Sequence, residues 1–116
     1  MFRIKGRKSK YLKSLSSEQW QQVKRNVRLR DNFSCIIHGC GKQSRLETHH
    51  ITYMVYGFSI VGEEMNYLDW IATLCEDCHR HVHRTGSHPL NHKNPYRVNV
   101  TKYKELHQIT KIKTKP

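Results

Sequence analysis

The stretch Leu74-Cys75-Glu76-Asp77-Cys78-His79-Arg80-His81-Val82-His83 decides how this chain is read. Ahead of it, Leu68 to Leu74 is apolar and partly β-branched, which suits a strand. A helix is expected to begin at Asp77 or Cys78 and to stop at Gly86 and Pro89. Between strand and helix lie Cys75 and Cys78, two residues apart in the spacing of a metal-binding knuckle. On the helix, His79 and His83 stand at i and i+4 and share a face. His81 points to another face and reads as solvated.

Working outward, the other two of the four cysteines are Cys35 and Cys40, 34 residues before the Cys75–Cys78 pair. Gly39 permits the chain reversal that aims both thiols at one point. Two such pairs in one small chain predict a tetrahedral structural zinc site. Buried free thiols or a redox pair are the alternatives, and neither accounts for all four. His38 lies inside the first knuckle, but four thiolates leave it no vacancy.

Leu46-Glu47-Thr48-His49-His50-Ile51-Thr52-Tyr53 reads as a short strand running into a loop. Residues 54–66 have no clear period and read as a loop ending near Asn66. Adjacent residues on a strand face opposite ways, so His49 and His50 take different roles unless the backbone turns there. Glu47 shares a face with His49 and can bind a basic side chain. Three imidazoles, one from the pair and two from the helix, can bind a divalent metal with positions left open. The remaining histidine of the pair is then a general base. That combination is what phosphodiester hydrolysis needs.

Upstream, Ser16 with Gln19 forms a capping box, and Leu15 with Trp20 a hydrophobic staple. Trp20, Val23 and Val27 recur at helical spacing until Asp31-Asn32 ends the helix, and Lys24, Arg25, Arg28 and Arg30 make the rest of its surface basic. Residues 1–15 read as a basic arm of the kind that contacts phosphates. Residues 87–97 carry Pro and Asn loop chemistry. From Val98, Tyr103, Leu106 and Ile109 mark one face of a weak helix that ends in a basic tail at 111–116. One domain over 16–97, flanked by the arm and a basic segment over 98–116, is expected.

The 116 residues carry 21 Lys and Arg against 9 Asp and Glu, a formal charge of +12. Such a balance implies a polyanionic partner, with nucleic acid ahead of an anionic membrane surface because no basic helix has a large apolar face. The hydrophobic fraction of 36% is below the usual value of about 45–50%, a range that also counts glycine, so a metal staple is expected to support a small core. No apolar run can span a membrane. Met1-Phe2-Arg3-Ile4-Lys5 leads into no apolar h-region, so a cytoplasmic location with reduced thiols is expected. Without secretion, the glycosylation patterns at Asn32 and Asn99 carry no weight.

The ordered set resembles the HNH endonuclease family: Cys35 to Cys40, then Leu46-Glu47-Thr48-His49-His50-Ile51, then Asn66, then Leu74-Cys75-Glu76-Asp77-Cys78-His79 and His83. It covers about half the chain, and Trp20 to Cys40 resembles the helix that commonly precedes the finger. The resemblance implies an α+β fold, a small ββα-metal (His-Me finger) nuclease domain with flanking helices, stapled by zinc. It implies His49, His79 and His83 as ligands of a catalytic divalent metal (Mg2+, Mn2+, Ni2+ or Zn2+). His50 is then the general base, Asn66 the residue that orients it, and Cys35, Cys40, Cys75 and Cys78 the structural Zn2+ ligands. Arg45, Arg80 and Arg84 are candidates to hold the scissile phosphate. The implied activity is metal-dependent DNA hydrolysis, by a nick or a double-strand cut, leaving 5′-phosphate and 3′-hydroxyl ends. The partner is DNA, double-stranded by expectation, and the enzyme a monomer or homodimer. Basic flanks and four cysteines alone fit a non-catalytic zinc-stabilised nucleic-acid-binding module equally well; the histidine set separates the two.

Overall fold

In the computed structural model, residues 15–113 are described, with side chains described to His107. The basic arm expected over 1–15 therefore lies outside the described residues except for Leu15, and the side chains of Ile109 and of the basic tail lie outside the described ones.

Helix α1 (Ser17–Arg30) starts where the sequence places it. The Ser16 hydroxyl accepts from Gln19 N and the Gln19 side chain accepts from Ser16 N, completing the capping box. Val23 and Val27 are fully buried against Ile71, with Leu15, Trp20 and Leu68 packed around them. Strand β1 (Leu46–His50) pairs antiparallel with a later strand, Ile71–Cys75, in the register Leu46↔Cys75, Glu47↔Leu74, Thr48↔Thr73, His49↔Ala72 and His50↔Ile71. Between them stands a hairpin of β2 (Met54–Val55) and β3 (Phe58–Ser59). Single 3₁₀ turns follow at Glu64–Asn66 and Leu68–Trp70 before β4 (Ile71–Cys75).

The loop expected over 54–66 is thus a hairpin and a turn. Tyr56 and Gly57 both have positive φ, as the tight two-residue hairpin connection requires. Tyr-Gly lacks the Asn-Gly or Asp-Gly signature, and two-residue strands are too short to show alternation.

Helix α2 (Glu76–Arg84) begins one residue before the earliest expected start, because Cys75 itself caps it: its Sγ accepts from Cys78 N at 3.4 Å. Helix α3 (Val100–Lys113) follows a long loop. Its Val100 and Tyr103 belong to the main core with Cys35, Ile51, Ala72, Leu74, Cys75, Val82 and Leu90. The segment expected to flank the domain from residue 98 is therefore built into it. Two small antiparallel sheets and three helices make a small α+β fold. Among the described residues no helix is long and apolar enough to cross a membrane.

One ionic knot ties the elements together. The Asp31 carboxylate, fully buried, accepts from Arg30 at 2.7 and 2.8 Å, from Lys104 Nζ at 3.0 Å and from Thr73 N at 3.1 Å. Arg30 also donates to the carbonyls of Leu68 and Ile71, each at 2.6 Å. Burial pushes the Asp31 carboxyl up, but Arg30 and Lys104 outweigh it and hold it below its ordinary value. Its contribution to stability is present above the unfolded value and is lost as pH falls through the lower folded one. Asp31→Ala leaves the buried Thr73 N without its acceptor and takes the carboxylate from Arg30 and Lys104, which are partly exposed. It is expected to cost about 1–3 kcal/mol, measured by urea denaturation at neutral pH; a loss near that of a surface substitution would refute the knot.

Candidate metal centres

The four cysteines converge from two segments. Ile36 N donates to Thr73 O at 3.1 Å, which lays the first knuckle along β4. Gly39 and Gly41, with φ of +79° and +71°, bend the chain on either side of Cys40. All four Sγ atoms lie within 4.8 Å of one another. Cys40 Sγ and Cys75 Sγ are 3.8 Å apart. That is the edge of a tetrahedron whose centre is about 2.3 Å from each sulfur, the zinc–thiolate length, and far beyond the roughly 2.05 Å of a disulfide. The thiols are free and can hold a structural metal such as zinc. Burial raises the Cys35 and Cys78 thiols. Burial also acts on Cys75, but hydrogen bonds from Cys78 and the neighbouring thiols outweigh it and lower that group. His38 does not join them: its ring stacks on His107 at 3.7 Å and Tyr103 at 4.4 Å.

The second group is His49, His79 and His83, with one ring nitrogen from each within 4.8 Å of the others. His49 is buried on β1. Its Nε2 lies 2.7 Å from Leu90 O. A carbonyl only accepts, so Nε2 carries the proton and Nδ1 keeps its lone pair. Burial, more than the neighbouring histidines, lowers the His49 pKa to about 4, so the ring is neutral at pH 7. His79 Nδ1 donates to Glu47 Oε1 at 2.6 Å, which turns the lone pair of Nε2 towards His83. The Nε2 atoms of His79 and His83 are 3.2 Å apart, close to the roughly 3.3 Å between two imidazole nitrogens on one tetrahedral ion. Burial, and then electrostatic interaction with the His79 and His92 rings, lowers His83. Three imidazole donors, each of the first two oriented by an acceptor on its far nitrogen, fit a divalent ion with open positions.

The loop after α2 supports this group from behind. Buried Asn91 donates from Nδ2 to Val82 O at 2.7 Å and Thr85 O at 3.1 Å, a second donor to carbonyls that also take Thr85 N and His88 N, and so pins the loop to the helix end. Asn94 ties the loop to itself through Ser87 O and His88 O.

His50 occupies the opposite side of β1, as strand alternation demands. It stacks between Trp20 (5.7 Å, 8°) and Tyr53 (5.0 Å, 15°). Its Nε2 meets Glu64 Oε2 at 3.1 Å, and Glu64 Oε1 accepts from Gly62 N at 2.9 Å. Leu15, Ser17, Trp20, His50 and Glu64 line a cleft of about 340 Å³. Tyr53 and His92 link His50 to His83 through a chain of ring contacts at 5.0, 5.8 and 6.0 Å.

Several expected roles fall differently. The side chain on His50 is that of Glu64, not Asn66: Asn66 is exposed, its N–H bonds Glu63 O, and it makes no hydrogen bond to His50 among the described residues. The 3₁₀ turn carries Asn66 away where a loop was expected to deliver it. Arg45 pairs with Glu76 at 3.3 Å and Arg80 with Asp77 at 3.3 Å, exposed ion pairs with carboxylates in the first turn of α2. Arg84 is exposed and forms no ion pair among the described residues. Sequence reasoning missed Glu64, the Leu90 carbonyl and Asn91. Period-two alternation does put Glu47 beside His49, and an acidic pair in a loop otherwise poor in charge was a signal for Glu64. A backbone carbonyl leaves no signature at all. Comparison with known proteins finds no matching family model, curated protein or solved structure.

Proposed function

We propose that this chain is a metal-dependent endonuclease of the HNH type, with a ββα-metal finger formed by β1, β4 and α2, hydrolysing DNA phosphodiester bonds. The observation that carries the reading is the convergence of His49, His79 and His83 lone pairs next to a separately held histidine, His50. A nucleic-acid-binding module needs no such second donor set. A divalent metal bound by the three imidazoles supplies positive charge for the phosphate and its leaving oxygen.

The chain's own residues do the rest. Glu64 accepts the Nε2 proton of His50, which leaves Nδ1 to take a proton from water. Trp20 and Tyr53 hold the ring from both faces and fix its direction. Glu47 and the Leu90 carbonyl keep His79 and His49 in the tautomers that present lone pairs. The structural zinc held by the thiols takes no part in the chemistry. The charge of +12 suits a polyanionic substrate.

The deciding experiment incubates supercoiled plasmid with the zinc-loaded chain and Mg2+, Mn2+, Ni2+ or added Zn2+, then withdraws the second metal. Divalent-dependent nicking or linearisation is expected. DNA binding with no cleavage under any metal would instead favour the non-catalytic zinc-stabilised module, a reading that the four-thiol cluster and net charge alone accommodate. Within the nuclease reading, Glu47→Gln is expected to weaken the second metal by about 10–100-fold, read by calorimetric titration, while thiol-bound zinc stays at full occupancy. Unchanged affinity would remove Glu47 from the site.

A further inference from the structure

The outer face of α1 takes no part in the site described. Gln21, Lys24, Arg25 and Arg28 recur at i, i+3, i+4 and i+7 and form one stripe along the helix. With Leu29 and Phe33 they line a groove of about 320 Å³. Among the described residues Lys24, Arg25 and Arg28 pair with no carboxylate; Arg28 NH2 donates to Leu46 O at 3.1 Å, and its Nε is buried without a partner. The cations therefore add their charges in one place.

Phe33 is the second observation. It has a φ of +52°, directly after Asn32 at +57°. Left-handed backbone is costly for a bulky side chain, and here it ends α1: Phe33 N donates to Arg28 O at 2.8 Å and Asn32 N to Leu29 O at 3.2 Å. Phe33 is 47% exposed and Leu29 is 55% exposed, so the helix end leaves an aromatic ring half-open beside three cations that pair with no carboxylate. Phosphates beside an exposed aromatic face are the chemistry of a single nucleic-acid strand, whose unstacked bases can lie on a ring. A duplex offers the ring a base face only when a step is unstacked, and unstacking costs free energy.

We propose that this groove binds a single strand of nucleic acid, with phosphates on Lys24, Arg25 and Arg28 and a base on Phe33. The proposal rests on the nucleic-acid reading above and adds to it a preference for substrates with a single-stranded portion, such as the unpaired stretches that negative supercoiling opens in a plasmid. The same helix carries Trp20, which stacks on His50, and Arg28 lies about 12 Å further along the axis.

The test uses the full zinc-loaded chain without added divalent metal, so that binding is read free of cleavage. The probes are a fluorescein-labelled oligonucleotide, its duplex, and phosphatidylserine vesicles, titrated over a range of salt. The wild type is expected to prefer the single strand. In the Lys24→Gln/Arg25→Gln variant the slope of log K against log salt should fall by about 1.4, since each phosphate contact on a single strand contributes about 0.7. Phe33→Gly should weaken single-strand binding by about tenfold yet raise the Tm, because glycine relieves the left-handed backbone. A purely structural Phe33 predicts a lower Tm. Equal or tighter binding of duplex or vesicles, or variants with unchanged affinity and slope, would overturn the groove assignment while leaving DNA as the partner. No binding of either oligonucleotide by the wild type would remove the nucleic-acid reading itself.

Discussion

Cys75→Ser is expected to abolish the folded state. Cys75 ends β4, opposite Leu46 in the sheet, caps α2 through its sulfur, and sits in the main core at 2% exposure. It is also one of four converging thiols that can hold a structural metal such as zinc. Structural zinc contributes about 10–16 kcal/mol in small zinc-bound domains at neutral pH, against a total stability of about 5–15 kcal/mol for a typical domain. Loss of one ligand removes a large part of the first figure and exceeds what the core can offset. The expected readout is loss of the cooperative thermal transition in circular dichroism, with zinc stoichiometry falling from one per chain towards zero. Zinc chelation of the wild type should produce the same trace. A Cys75→Ser protein that melts cooperatively at the wild-type temperature would show that the thiols are only buried side chains.

His50→Ala should reduce divalent-dependent plasmid cleavage by about 10²–10⁴-fold, the range of a positioned general base. The ring is packed between Trp20 and Tyr53, so the substitution also opens space under the cleft. The effect must therefore be read beside the Tm and beside the affinity of the second metal. A catalytic role predicts that both stay near wild type while cleavage collapses. Glu64→Gln provides the internal control: it keeps the shape and, with its oxygen on Gly62 N, turns an amide NH2 that cannot accept a hydrogen bond towards His50 Nε2. It should fall between wild type and His50→Ala, with a pH profile displaced from that of the wild type. Full cleavage by His50→Ala at normal metal affinity would remove His50 from the mechanism.

Much of this architecture was legible because it depends on local rules. The capping box at Ser16 and Gln19 fixed the start of α1, and helical spacing of Val23 and Val27 identified its buried face. Paired cysteines and the i, i+4 histidines announced both donor sets, and each closes within 4.8 Å. What escaped depends on contacts distant in sequence. His50 meets a carboxylate 14 residues away and His49 a carbonyl 41 residues away. Asn66 has the expected residue type at the expected distance, but a single 3₁₀ turn decides which of Glu64 and Asn66 faces inward. The C-terminal helix looked weak because its pattern is weak; Tyr103 and Lys104 draw it into the core through partners near residues 31 to 38.

The loop behind α2 has a consequence for where this unit ends. A chain cut after Arg84 would still hold every cysteine and histidine of both donor sets. It would lack the Leu90 carbonyl that sets the tautomer of His49, the Asn91 amide that closes the last turn under His83, and the Tyr103 side that completes the core. The motif and the transferable module are therefore different lengths. Grafting residues 35–84 onto another scaffold would carry over the ligands without the geometry that makes them a site, and a working fusion has to extend through the C-terminal helix.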